Sequence, residues 1–154
     1  MMTDGGIILM GEEGEAKRFD VQDGMGVNLA KSAGLEVGII TSRNSTVVKR
    51  RAAELGITEL HQGVRLKTQV LDELQKRLGI QAAQMAYIGD DIQDIPIMNL
   101  VGIPIAVQNA VAAVKARSSY VTKACGGHGA VREAVEWLLE IRGDSETAMR
   151  SITG

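Results

Sequence analysis

The sequence predicts an α/β protein on a parallel sheet, and three observations carry that expectation. Short apolar runs at 37–40 (VGII), 85–88 (MAYI) and 103–107 (IPIAV) alternate with segments of helical periodicity, the pattern of βα units. Gly34, Gly56 and Gly79 stand where such helices end, because glycine adopts the left-handed cap without a Cβ penalty. Polar clusters follow the strands or open the helices: 41–43 (TSR), Lys67, and 89–94 (GDDIQD). In an alternating fold this gathers them at the carboxyl edge of the sheet, where ligands bind.

In chain order, residues 6–10 (GIILM) and 15–21 (EAKRFDV) flank a loop bounded by Gly11 and Gly14. They predict a β-hairpin over about 6–21. Met25, Val27, Leu29 and Ala30 suit a short helix from 23 to 33. A strand at 37–40, a helix near 45–55, a short strand at 58–61 and a helix at 67–78 follow. After the strand at 85–88 come a helix near 93–99, a strand at 103–107, a short helix at 111–116 and a strand at 119–122. Residues 126–129 (GGHG) make a glycine-rich turn, and 130–141 an amphipathic helix holding Trp137. The polar stretch after Gly143 predicts a mobile tail over 144–154 behind one domain over 1–143.

Composition narrows the class. A chain of 154 residues with 45% apolar and 23% charged residues suits one globular domain. Aromatics are only 3%, so Val, Ile, Leu, Ala and Met must build the core. A net charge of −2 gives no basis for a nucleic-acid or anionic-membrane partner. One cysteine, Cys125, cannot form an internal disulfide and fits a reducing compartment. No apolar run approaches a membrane span and the first residues are no signal peptide, so the expected location is the cytoplasm.

Asp90, Asp91 and Asp94 crowd negative charge beyond a buried strand, which favours a cation. Mg²⁺ takes oxygen ligands, commonly one or two carboxylates with water and phosphate. Asp91 and Asp94 also suit the first turn of the following helix. Thr41 and Ser42 can present hydroxyl and backbone N–H to a phosphate at a helix start, or serve only as caps. Arg43 adds a guanidinium. Lys67 opens its helix, where the dipole disfavours a cation, which hints at function, the alternative being an ordinary surface lysine. Gly126 and Gly127 could wrap an anion with backbone amides or simply turn the chain. The 24–26 GMG stretch lacks the third glycine and the strand context of a dinucleotide loop.

Taken in order, these segments resemble the haloacid dehalogenase superfamily, and most closely its capless 3-deoxy-D-manno-octulosonate 8-phosphate (KDO 8-phosphate) phosphatase family. Residues 3–6 (TDGG) resemble the family's T-D-G, and 19–24 (FDVQDG) the segment closing its hairpin. Residues 39–43 (IITSR) match the second motif, Lys67 the phosphate-neutralising lysine, and 87–91 (YIGDD) with Asp94 the fourth motif. Residues 126–133 (GGHGAVRE) resemble the C-terminal signature. The likeness covers about residues 3 to 143.

The resemblance implies a Rossmann-like haloacid dehalogenase fold and a Mg²⁺-dependent phosphatase acting on a sugar-acid phosphate. It implies Thr41, Lys67 and Asp94 as catalytic, Asp90 and Asp91 as metal ligands, and Ser42, Arg43, Gly126, Gly127 and Arg132 as substrate contacts. It also implies a homotetramer in which hairpins meet and a neighbouring subunit covers the site. Two departures accompany it. The family's D-x-D-G strand, which carries the nucleophile and the general acid, belongs ahead of Thr3, where only Met1 and Met2 stand. The expectation is a sheet lacking its first central strand and a chain inactive as given. Gln22 stands where an arginine is common; Arg43 fits KDO 8-phosphate better than the acidic residue of a related nonulosonate phosphatase. Alternatives are a non-catalytic assembly module and a phosphatase for another nonulosonate 9-phosphate. A phosphoacceptor receiver domain is set aside, because its acidic pair comes first in the chain.

Overall fold

The computed structural model describes residues 1–11 and 14–154. Glu12 and Glu13, in the expected hairpin loop, lie outside the described residues. The hairpin is shorter than expected: β1 (Ile8–Met10) pairs antiparallel with β2 (Gly14–Ala16), Ile8 opposite Ala16. Val21 belongs instead to helix α1 (Val21–Ser32), because Asp20 is extended and its carboxylate accepts the Gln22 N–H at 2.8 Å.

The parallel strands alternate with helices as expected. β3 (Gly38–Ile40), α2 (Thr46–Glu54), β4 (Glu59–His61) and α3 (Lys67–Leu78) form the first half. β5 (Ala86–Gly89), α4 (Ile95–Met98), β6 (Ile103–Ala106), α5 (Ala112–Lys115) and β7 (Tyr120–Val121) form the second. Helix α6 (Ala130–Arg142) follows.

The sheet is interrupted. Among the described residues β3 pairs only with β4, Ile39 opposite Leu60, and β5–β6–β7 form a separate trio in parallel register, Ile88 opposite Ile105. In a doubly wound sheet of strand order 3-2-1-4-5-6, β4 and β3 take the places of strands 3 and 2. The trio takes those of 4, 5 and 6, so the place of strand 1 falls between β3 and β5. Side chains span the interruption on both faces. Ile39 and Ile88 pack on one cluster, built on Val27, Leu55, Val135 and Leu139. Ile40 and Tyr87 pack on another, built on Leu71, Ile97 and Val101. Met1 packs on the first cluster and also on a third, around Ala106, Val107 and Val114.

Helices α1 and α6 approach closely. A Cβ on Gly26 would stand 2.7 Å from the Arg132 Cα, so only glycine permits this spacing. The 24–26 glycines therefore serve packing. Asp23, fully buried, receives the N–H groups of Gly129, Val131 and Arg132 at 3.3, 2.8 and 3.3 Å. It caps α6 from another helix, since Gly129 has no side chain to do so. Burial pushes its carboxyl up against the pull of those three N–H groups.

The segment expected as a mobile tail is helical. Residues Ser145–Thr153 form α7, with Ala148 fully buried and its carbonyl accepting the Ser32 hydroxyl at 3.2 Å. Its one small apolar residue docks on α1, which a reading for polarity passes over. Among the described residues no helix is long and apolar enough to cross a membrane.

Candidate active site

The fourth motif begins where β5 ends. Gly89 must be glycine here, since a Cβ would sit 2.6 Å from the Met98 sulfur and 2.9 Å from the Asp94 Cβ. The chain then folds so that Asp94, 1% exposed, faces back into its own loop. One carboxylate oxygen of Asp94 accepts the N–H groups of Asp90 at 2.9 Å and Asp91 at 3.3 Å. The other accepts the Tyr87 hydroxyl at 2.7 Å and pairs with the Lys67 ammonium. Lys67 also donates to the Tyr87 oxygen at 3.2 Å.

This network sets the charges. Burial works against ionisation of Asp94, but the Lys67 ammonium, the Tyr87 hydroxyl and the Asp90 N–H outweigh it and hold the carboxyl below its usual range. Burial and the adjacent Asp94 charge push the Tyr87 phenol up, so it stays a donor. Lys67 opens α3 without a side-chain cap before it. The unfavourable dipole position is offset by the buried carboxylate it meets across the sheet.

The second-motif loop joins the same edge. Thr41 donates its N–H to the His61 carbonyl at 2.9 Å and its carbonyl accepts the Val64 N–H at 3.0 Å. This fastens it to the segment leading into Lys67. The Thr41 hydroxyl accepts the Arg43 N–H at 3.2 Å. Ser42 donates to the Gln93 side chain at 2.8 Å, reaching the acidic loop from the other half. Lys67, Asp94 and Asp90 are thus joined by hydrogen bonds at the carboxyl end of β5, and the Thr41–Ser42 loop at the end of β3 is tied to the neighbouring segments at Val64 and Gln93. Arg43 lies in the same loop, its carbonyl accepting the Gly63 N–H at 3.4 Å.

The three carboxylates have separate duties. Asp94 is consumed by its four donors. Asp91 turns to the following turn, accepting the Ile92 N–H at 2.7 Å, the capping alternative that the sequence left open. The Asp90 carboxylate joins neither arrangement; its Oδ2 stands 3.4 Å from the Met1 nitrogen. Among the described residues no three His, Cys, Asp or Glu side chains gather into a metal cluster. The fit is to an ion held by one carboxylate with water and phosphate completing its shell, the habit of Mg²⁺.

The glycine-rich signature is engaged elsewhere. Gly126 donates to the Asn109 side chain at 2.8 Å and Gly127 to the Met1 carbonyl at 2.8 Å. A Cβ on Gly127 would meet the Asp4 nitrogen at 2.4 Å. The Gly126 amide holds Asn109 and the Gly127 amide the first residue of the chain, rather than the Lys67–Asp94 network. Arg132 is bonded to Glu136 along α6 at 2.6 Å and is not part of that network either. Glu133 gathers the Tyr120 hydroxyl and the Lys123 and Ala124 N–H groups, each at 2.8 Å. Its bond is the leading cause that pushes Tyr120 up to about 12. The sequence reading gave no role to Tyr87, Gln93, Asp23 or Glu133. Tyr87 had one signal, a polar ring tip two residues before the acidic cluster.

Comparisons with known proteins agree with this arrangement. Residues 59–133 match the profile of the haloacid dehalogenase-like hydrolases. The chain is 42% identical over 144 residues to the 3-deoxy-D-manno-octulosonate 8-phosphate phosphatase of Escherichia coli K12, covering 93% of this chain and 77% of the relative. The crystal structure of the Moraxella catarrhalis 3-deoxy-D-manno-octulosonate 8-phosphate phosphatase, holding magnesium, phosphate and KDO, superposes with a TM-score of 0.94 at 40% identity. It covers 99% of this chain and 88% of that one. A cobalt-bound Haemophilus influenzae counterpart gives a TM-score of 0.88 at 36% identity, covering 94% and 84%. Identity at this level over nearly the whole chain places the protein in the 3-deoxy-D-manno-octulosonate 8-phosphate phosphatase family of haloacid dehalogenase-like hydrolases.

Proposed function

We propose that this chain carries the phosphate- and metal-binding part of a Mg²⁺-dependent phosphatase acting on a sugar-acid phosphate, KDO 8-phosphate, releasing KDO and phosphate. The observation that carries the reading is the network of Lys67, Tyr87 and Asp94 joined to the Thr41 loop and to Asp90 at one sheet edge. Phosphoryl transfer demands positioning and charge neutralisation above all. Thr41 and Lys67 hold the nonbridging oxygens; Asp94 fixes the Lys67 ammonium and the Asp90 backbone. A Mg²⁺ ion held by Asp90 supplies further positive charge against the phosphate. Ser42 and Arg43, beside Thr41, face the sugar acid, and Arg43 suits its carboxylate. Retention of Thr41, Lys67 and Asp90 argues against a non-catalytic assembly module.

By the family pattern the nucleophile is an aspartate on a strand between β3 and β5, forming an aspartyl-phosphate that water then cleaves. The separation of β3 from β5 supports that placement. The test uses KDO 8-phosphate and Mg²⁺. The 154-residue chain is expected to show negligible turnover, and a D-x-D-G strand joined ahead of Met1 to restore it. Asp90→Asn or Lys67→Ala then abolishes the restored rate. Robust turnover by the chain without that strand would show another nucleophile.

The same reading includes a cytoplasmic homotetramer. Ile8, Leu9 and Met10 are 53%, 76% and 58% exposed on β1, more apolar surface than a solvated flap needs. Light scattering at micromolar concentration checks it; a monodisperse monomer overturns it.

A further inference from the structure

The hairpin is tied to the phosphate loop by one side chain. On β2, the Glu15 carboxylate accepts the hydroxyl proton of Ser45, a residue 6% exposed that also caps α2 by accepting the Val48 N–H at 3.2 Å. The Ser45 N–H is itself bonded to the Gln62 side chain at 2.7 Å. Ser45 therefore joins three segments: the hairpin, the start of α2 just past the Thr41–Arg43 loop, and the loop that leads into Lys67. Lys17, its side chain only 8% exposed, lies 3.6 Å from Glu15. The Ser45 bond, helped by Lys17 and Arg43, holds the Glu15 carboxyl below its usual range.

We propose that Glu15 is a positioning residue, a latch through which the hairpin fixes the Thr41–Ser45 loop for phosphate binding. This rests on the reading that Thr41 binds phosphate, and assigns to the hairpin a task beyond any contact it makes with other subunits. The division of labour fits the two strands. β2 turns its polar side chains onto its own domain, whereas the apolar residues of β1 remain exposed. The latch also explains why a charged lysine is buried at the hairpin base, since Lys17 keeps the Glu15 carboxylate ionised and in place.

The test is a double-mutant cycle on Glu15→Ala and Ser45→Gly. Glycine retains most N-cap function, so Ser45→Gly removes the latch without unravelling α2. Two readouts are taken on the full chain: the dissociation constant of inorganic phosphate in the presence of Mg²⁺, and amide exchange at residues 41–45. Each single variant is expected to weaken phosphate about tenfold and to speed exchange in the loop, with the double variant no worse than either, the signature of coupled partners. Glu15→Gln, whose amide oxygen still accepts the Ser45 proton, is expected to recover most of the affinity. Circular dichroism is expected to stay unchanged throughout. Additive effects, or loop exchange and affinity within twofold of the unmodified chain, overturn the latch. Thr41→Ala serves as the control on the underlying reading. If the unmodified chain binds no phosphate, or Thr41→Ala leaves binding intact, the functional reading fails; the exchange cycle then decides the latch by itself.

Discussion

The pair β3–β4 and the trio β5–β6–β7 are built from similarly apolar strands, yet they are bedded very differently. Ile105 and Ala106 of β6, with Val107 just beyond, expose no surface at all. In β3, Gly38 is exposed and Ile39 and Ile40 only half-buried. β6 has a hydrogen-bonded neighbour on each side, whereas β3 has one. Burial of a strand in a layered fold is therefore set by its neighbours in the sheet as much as by the helices above and below. The difference also shows what holds the halves together. Between β3 and β5 the work passes from backbone to side chains: the apolar clusters that Ile39, Ile88, Ile40 and Tyr87 join, with the Lys67–Asp94 pair and the Ser42–Gln93 bond.

The largest expected effect sharpens this contrast directly. Ile105→Ala is expected to cost about 4 kcal/mol, and Ile39→Ala about half as much, because a half-buried site leaves a smaller cavity. Urea denaturation of both variants measures it; equal costs would dissolve the distinction. Next comes Lys67→Ala, which strands the buried Asp94 carboxylate and is expected to cost about 3 kcal/mol. A loss under about 1 kcal/mol would mean that the pair does not bind the halves.

A pH series tests the same tie from the other side. The folded-state pKa of Asp94 lies below its unfolded value. Its contribution is thus complete above the ordinary carboxylate range and is lost as pH falls through the depressed folded value. The stability gap between the unmodified chain and Asp94→Asn should be wide at pH 7 and close on acidification, followed by urea midpoints. A gap independent of pH would place the source of the acid response elsewhere. The smallest effect is a control outside the comparison. Asp20→Ala removes the cap of α1 and is expected to cost about 1 kcal/mol, whichever half is under strain; a cost of several kcal/mol would tie Asp20 to more than one helix end.

Most of the architecture was legible in the sequence, because strands 37–40, 85–88 and 103–107 are bounded by polar motifs and glycines with definite backbone roles. The interruption beside β3 was legible too, since the resemblance to the haloacid dehalogenase fold puts the D-x-D-G strand at that place, ahead of Thr3. What escaped were contacts between segments remote in sequence. Asp23 capping α6, 106 residues away from Gly129, leaves no local pattern. Ala148 carries no periodic signal strong enough to announce α7. The amides of Gly126 and Gly127 meet the Asn109 side chain and the Met1 carbonyl, contacts that glycine spacing alone does not carry. The acidic cluster is legible as a concentration of charge, but its division of labour depends on side-chain direction, which sequence does not carry.

That division bears on how position 94 can vary. Both oxygens of its side chain face donors only: two backbone N–H groups on one side, an ammonium and a phenol on the other. An amide of the same shape must turn an NH₂ toward one of those pairs, whichever way it flips, and a longer carboxylate cannot keep both oxygens in register. The site is an all-acceptor socket with no isosteric neighbour in the genetic alphabet. Sequence drift through this position is therefore expected to be blocked even in descendants that have lost phosphatase activity but kept the fold. In such descendants Asp90 should erode first and Asp94 last.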